Sequence, residues 1–220
     1  MDKLLIYGLG SFASLAKHYF ASGSQFEVVA YCADRDYVDC ESKDGIPVVP
    51  FDEVTVNYPP DRFAMFVAVG YSNMRARERM YTTAANEGYR FANFVHPTAF
   101  VDSSATLGEN ILVLPGTIIE PFANIGDNNV IWSSVVISHN ATVQDHCFLA
   151  SKALVGGFSE VGENSFVGFG ATVIQNVRLG RETLAAAGSL VTKDTQACSK
   201  MVGTPARCVA THSDSGIEIV

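Results

Sequence analysis

The chain has 220 residues, 48% of them hydrophobic, with a formal net charge of −8 at pH 7, enough apolar material for one large or two modest globular domains. An acidic balance without any block of Lys/Arg argues against a nucleic-acid partner, which needs a concentrated basic face. The five cysteines (Cys32, Cys40, Cys147, Cys198, Cys208) are odd in number and form no C-x-x-C pair, which argues against a disulfide framework or a thiolate zinc site and predicts reduced, mostly buried thiols.

The start, MDKLLIYGLG, lacks the basic, long apolar and small-residue zones of a signal peptide, and no stretch reaches eighteen apolar residues, so a cytoplasmic protein without membrane insertion is expected. KLLIYGLG reads as a strand entering a glycine turn. SFASLAKHYFAS follows, with Phe12, Leu15, Ala16 and Tyr19 at helical spacing. FEVVAYCAD is a second strand ending at Asp34, and FAMFVAVG a later one ending at Gly70. Alternating strands and helices predict an α/β, Rossmann-like N-terminal domain over residues 1–95.

In a dinucleotide fold, a G-x-G-x-x-G turn and an acidic residue ending the second strand hold pyrophosphate and ribose. Here the turn carries Gly8, Gly10 and then Ala13, with Asp34 after the second strand. A βα turn that needs glycine only for its geometry explains the same residues. Asp34-Arg35 and Gly70-Tyr-Ser-Asn73 fall at the carboxyl edge where open α/β sheets bind ligands. Arg75, Arg77 and Arg79 follow; a solvated helix face is the plainer account of them, more so for Arg79 than for Arg75. Gly8, Gly10, Asp34, Arg35, Gly70, Asn73 and Arg75 are the candidate ligand residues of this half.

FANFVHPTAFVDSSATLG joins the two halves. Pro97 marks the start of a new pattern, and His96, before it, reads as part of the junction. Stepping by six from Val101 meets Leu107, Val113, Ile119, Ile125, Ile131, Ile137, Val143, Leu149, Val155, Val161, Val167, Val173, Leu179, Ala185 and Val191. Two residues before each stands a mostly small residue, and the residue after is often glycine, as at Gly108, Gly126, Gly156, Gly162, Gly168 and Gly180. Residues two apart on a strand share a face, so both columns point inward. A six-residue step drifts around a helix and gives it no single face. Each hexapeptide is a short strand and a bend, and three close a coil of about eighteen residues; roughly five coils at about 4.8 Å make a prism about 25 Å tall. Glycine after the aliphatic suits a corner needing unusual backbone angles, or close approach of another chain.

Residues 98–207 resemble the hexapeptide-repeat acyltransferases, which implies a left-handed parallel β-helix and a homotrimer. General crossover rules alone would favour a right-handed coil. With the Rossmann-like half, the F-V-H-P-T-A junction, Ser138-His139-Asn140 and the closing V-G-T-P-A-R, nearly the whole chain resembles the PglD/NeuD-type sugar acyltransferases. The resemblance divides the chain into a nucleotide-sugar-binding domain (1–95), a β-helix acyltransferase domain (96–210) and a tail (211–220). It implies transfer of acetyl from acetyl-CoA, a co-substrate rather than a resident cofactor, to a nucleotide-linked amino sugar for bacterial surface-glycan synthesis. CoA is expected between neighbouring prisms.

The resemblance makes His139 the general base, and an imidazole that titrates near neutrality suits that task. Asn140 stands where the family usually has Asp or Glu; its amide oxygen can accept from the ring N–H but supplies no charge. Phe148 stands where many members carry a second histidine, and His146, two residues earlier, is expected at most to contact the acyl donor. Gly157 matches the position credited with the oxyanion. Ala187, Lys193, Lys200 and Arg207 are expected along the CoA, although each cation reads equally as a solvated surface charge. Other readings are an O-acetyltransferase on a free or lipid-linked sugar and a non-catalytic β-helix scaffold. A zinc site of three histidines lacks a third imidazole in the prism, so no metal is expected.

Overall fold

The computed structural model describes residues 2–212, 216–217 and 219, so the tail expected over 211–220 lies partly outside the described residues. The chain forms two compact units, one of residues 1–70 and 76–94, the other of residues 71–75 and 95–220. No helix among the described residues is long and apolar enough to cross a membrane.

In the first unit, β1 (Asp2–Tyr7), α1 (Ser11–Gly23), β2 (Phe26–Ala33), β3 (Ser42–Lys43), β4 (Ile46–Pro50), α2 (Val54–Asn57), β5 (Phe63–Val67), α3 (Met74–Asn86) and β6 (Arg90–Phe91) follow in order, α3 beginning among the residues of the second unit. The sheet order is β3-β4-β2-β1-β5-β6, parallel except for the β3–β4 hairpin. Leu4 to Tyr7 of β1 are all buried, the mark of a central parallel strand covered on both faces. The order reverses at β1, with β2 on one side and β5 on the other, so the carboxyl ends of these strands form the crevice where such sheets bind ligands. In α1 the buried stripe is Ala13, Ala16 and Phe20, one residue away from the stripe of larger side chains that helical spacing suggested. Small residues win the inner face because the first βα turn packs tightly: a Cβ at Gly8 would stand 2.6 Å from the Ala68 carbonyl oxygen and 3.8 Å from the Ala13 Cβ.

The second unit is the expected prism. Three sheets run along it with six, five and eight strands, parallel except for the last strand of the eight, and strand partners are eighteen residues apart, as in Val101, Ile119, Ile137, Val155, Val173 and Val191. The inward columns of aliphatic and small residues form its core, Ala185 included. Every sixth residue takes a left-handed backbone conformation at a corner: Asn110, Gly116, Phe122, Asn128, Ser134, Asn140, His146, Lys152, Phe158, Asn164, Gly170, Asn176, Glu182 and Gly188. From Leu107 to Ala185 the unusual angles therefore fall three residues after each inward residue of the column. The glycines directly after the aliphatics answer the other demand, close approach: a Cβ at Gly156 would lie 2.5 Å from the Gln175 amide nitrogen, and one at Gly168 2.6 Å from that of Ala187.

The three faces differ on the outside. One carries Phe100 and Ile118, 56% and 40% exposed, then half-buried Val136, Leu154, Thr172 and Leu190, apolar except at Thr172. The second is polar, with Thr106, Asn124, Thr142, Glu160 and Arg178 in register. The third is apolar and buried, with Leu112, Val130, Phe148, Phe166 and Leu184. The last face ends in an antiparallel hairpin of Ser199–Gly203 and Ala206–Thr211, whose turn is made by the V-G-T-P-A-R segment. Of the five thiols only Cys32 and Cys147 are buried; Cys198 is half-buried, and Cys40 and Cys208 are exposed. The hairpin explains Cys208, which stands on its exposed outer strand.

Candidate acyl-transfer site

Ile137 is the inward aliphatic of its hexapeptide, and the chain then turns through Ser138, His139 and Asn140 at the corner between the apolar exposed face and the polar face. His139 and Asn140 are exposed. Asparagine suits this left-handed corner (φ 58°) because its short polar side chain tolerates it. The Asn140 Oδ1 lies 3.2 Å from the His139 Nδ1. With Nδ1 donating to that oxygen, Nε2 carries the lone pair.

One coil further along the same corner stands Gly157, and the imidazole lies against it: a Cβ there would come within 3.0 Å of both Cε1 and Nε2 of His139. Phe158, 59% exposed and also left-handed, meets the ring edge to face at 5.2 Å. The backbone around His139 is tied to neighbouring coils, with the Asn140 N–H donating to the Pro121 carbonyl at 3.1 Å and the Phe158 N–H to the His139 carbonyl at 3.2 Å. The His139 N–H donates to Oε2 of Glu120 at 2.8 Å. No motif pointed to Glu120, nineteen residues upstream; its place one coil below His139 could have been found from the eighteen-residue period. Among the described residues the Gly157 N–H makes no hydrogen bond, because Ser138, at the corresponding place below it, is too short to reach as Glu120 does.

Lys193 lies three coils along the same corner from His139, two residues after each of the in-register Ile137, Val155, Val173 and Val191. Ala187, Lys193, Lys200 and Arg207 are all exposed. Lys200 and Arg207 stand on the two strands of the terminal hairpin, the Arg207 Nη1 donating to the Ala206 carbonyl.

His146 corrects an expectation. It is buried rather than turned toward a ligand, with Nδ1 2.9 Å from the Asn128 amide nitrogen, in a corner ladder with Asn110, Asn128, Asn164 and Glu182 at eighteen-residue spacing. At this corner the left-handed residue turns its side chain into the stack. Phe148 is likewise committed, stacked between Trp132 and Phe166 and edge-on to Tyr71.

At the first unit's sheet edge, the Gly8 N–H donates to the Cys32 carbonyl, Gly10 caps α1, and Gly10 and Gly70 have open space where a side chain would be. Asp34 accepts from the Tyr7 hydroxyl. Burial, then the Asp34 carboxylate, push the Tyr7 hydroxyl above its usual range, so it remains a donor. Sequence reading missed Tyr7, whose place in an apolar strand marks it as core. Arg35 is exposed and paired with Asp52 and Glu53, both at 2.7 Å. Asn73 and Arg75, grouped by sequence with this edge, belong to the second unit. Arg75 makes a two-pronged contact with the buried Glu182, Nε and Nη2 each 2.8 Å from a carboxylate oxygen, and this pairing holds the Glu182 carboxyl below its usual range. A charge as buried as Glu182 demands a partner, and the Arg75 guanidinium supplies it.

A coil of parallel hexapeptides with an exposed histidine braced at one corner is the arrangement of a hexapeptide-repeat acyltransferase, and comparison with known proteins agrees. Residues 3–84 match the family described as the PglD N-terminal domain. PerB from Caulobacter crescentus, solved in complex with CoA and GDP-perosamine, is 29% identical over 96% of this chain and 98% of that one, with a TM-score of 0.84. The acetyltransferase domain of PglB from Neisseria gonorrhoeae is 25% identical over 95% of this chain and 100% of that one, also at 0.84. WeeI from Acinetobacter baumannii, 20% identical over 95% of this chain at 0.77, shares the fold. The coil is therefore the left-handed parallel β-helix of these acyltransferases. Residues 3–84 thus carry a PglD N-terminal domain, and over nearly its whole length the chain is similar to sugar acetyltransferases of the hexapeptide-repeat type.

Proposed function

We propose that this protein transfers the acetyl group of acetyl-CoA to the amino group of a nucleotide-linked amino sugar in the synthesis of bacterial surface glycan, acting in the cytoplasm. The observation that carries the reading is the His139 corner, where Asn140 holds Nδ1 and leaves Nε2 facing the Gly157 backbone. The CoA and GDP-perosamine bound by PerB, also solved as a GDP-perosamine N-acetyltransferase, support the substrate class.

In this reading residues 1–95 hold the nucleotide sugar at the sheet edge of Gly8, Gly10, Asp34 and Gly70, and residues 96–210 carry out the transfer. The sugar amine attacks the thioester carbonyl, and His139 Nε2 takes the proton the nitrogen sheds. The tetrahedral oxyanion is met by the free Gly157 N–H. When the carbon–sulfur bond breaks, the imidazolium returns the proton to the CoA thiolate. Lys193, about 14 Å along the corner from His139, with Lys200, Arg207 and Ala187 near the last coils, lines the CoA. The apolar column Phe100, Ile118, Val136, Leu154 and Leu190, beside the His139 corner, supports a homotrimer with that face between prisms, since exposed apolar strips mark interfaces.

The test follows thiol release from acetyl-CoA with UDP-, dTDP- and GDP-linked amino sugars, comparing the native protein with His139→Ala. Turnover with one amino sugar that falls about 100-fold or more in the variant is the expected result. Turnover only with hydroxyl acceptors would replace the N-acetyl reading by O-acetylation. Failure of the native protein to bind acetyl-CoA would overturn the proposal.

A further inference from the structure

We propose that Glu120 is the positioning residue of His139, holding the base through its main-chain amide; this rests on the reading of His139 as the base. Glu120 lies on the coil below, half-buried, and its Oε2 accepts the His139 N–H at 2.8 Å. The neighbouring Asn140 and Phe158 amides donate to main-chain carbonyls, whereas the His139 amide is held by a side chain, on the residue whose ring has to be oriented. The consequence reaches the site twice. The anchored amide fixes the start of the His139 side chain, so that the ring can rest on Gly157 with Nδ1 toward Asn140. It also removes a competing donor beside the Gly157 N–H, leaving that group to receive the oxyanion.

The same contact recurs at the next corner, nineteen residues apart, where Oε1 of Gln144 accepts the Glu163 N–H at 3.3 Å. An amide side chain is thus able to make the contact, which provides both a conservative replacement and a control away from His139. Among the described residues Glu120 Oε2 has this one side-chain hydrogen bond, and no arginine or lysine is paired with it.

The test compares Glu120→Ala, Glu120→Gln and the control Gln144→Ala in two measurements. In turnover, Glu120→Ala is expected to lower kcat about tenfold or more while the KM for acetyl-CoA stays within about twofold, Glu120→Gln to recover most of the loss, and Gln144→Ala to keep native kcat. In long-range proton–nitrogen spectra of the imidazole, which need no turnover, native His139 is expected in the Nδ1–H tautomer and Glu120→Ala in a mixture of both. Native kcat together with an unchanged tautomer in Glu120→Ala would overturn the anchor. So would a loss in Glu120→Gln equal to that in Glu120→Ala, since Glu120 would then act through its charge. Should the native protein turn over none of the sugars, the proposed reaction fails, and the tautomer measurement still decides the anchor.

Discussion

Adjacent glycines at one corner should fail in opposite ways. In Gly157→Ala the new methyl would sit 3.0 Å from Cε1 and Nε2 of His139 and 3.3 Å from its carbonyl oxygen. Ordinary contact begins near 3.4 Å, so the exposed ring must give way by a few tenths of an ångström, and since a misplacement of about 1 Å can cost about 100-fold, a loss of roughly 3- to 10-fold in rate is expected. Gly157 is not among the residues with positive φ, so alanine brings no backbone strain there, and stability should change by less than about 1 kcal/mol. In Gly156→Ala the methyl would meet main chain of the next coil, 2.5 Å from the Gln175 nitrogen and 2.8 Å from the Ile174 carbonyl carbon. Neither can swing aside, so overpacking of about 1–3 kcal/mol is expected, a fall in Tm of roughly 2–10 °C for a chain of this size. Thiol-release kinetics and thermal melts on both variants are the assay. Native kcat in Gly157→Ala, or equal losses of Tm in the two variants, would refute the placement of the His139 ring.

Replacing Asn140 by Asp puts a carboxylate against Nδ1 at a corner that aspartate also tolerates; kcat/KM should rise about threefold, and an unchanged or lower value would show that the neutral amide suits this enzyme's substrate. The Glu182 carboxyl is held low by Arg75, so its contribution is present above the ordinary glutamate range of about 4.3 and is lost as pH falls through the depressed native value. The Tm advantage of the native protein over Glu182→Gln should therefore shrink on acidification below about pH 4, and a difference constant between pH 7 and pH 3 would exclude the ion pair as its source. If the proposed trimer forms through the apolar face, Leu154→Glu should leave monomers with the melting of the prism little changed; light scattering on the native and variant proteins reads this, and a variant that associates as the native protein does would remove that face from the interface.

The period of six from Val101 to Val191 is legible in the chain alone because each strand's alternation is local and the coil repeats the same local event, so registry eighteen residues apart follows by arithmetic. His139 and Gly157 were reachable the same way, one by its motif and both by their common corner. The ends of β1 and β2 and the glycine turn were legible to within a residue, since strand length and glycine position are set locally, whereas β5 stops at Val67, three residues before the expected end at Gly70. The side chains around them were not. Nothing in sequence separates His139, which projects from its corner, from His146, which enters an asparagine ladder seven residues later; that choice depends on what the coils above and below present. The fate of Arg75 turned on a buried carboxylate at Glu182, more than one hundred positions away, and the Glu120 anchor exists only once the coils are stacked. Backbone periodicity is a local property and so belongs to the sequence, whereas the partner of an amide or a guanidinium is decided by which distant groups the fold brings within about 3 Å.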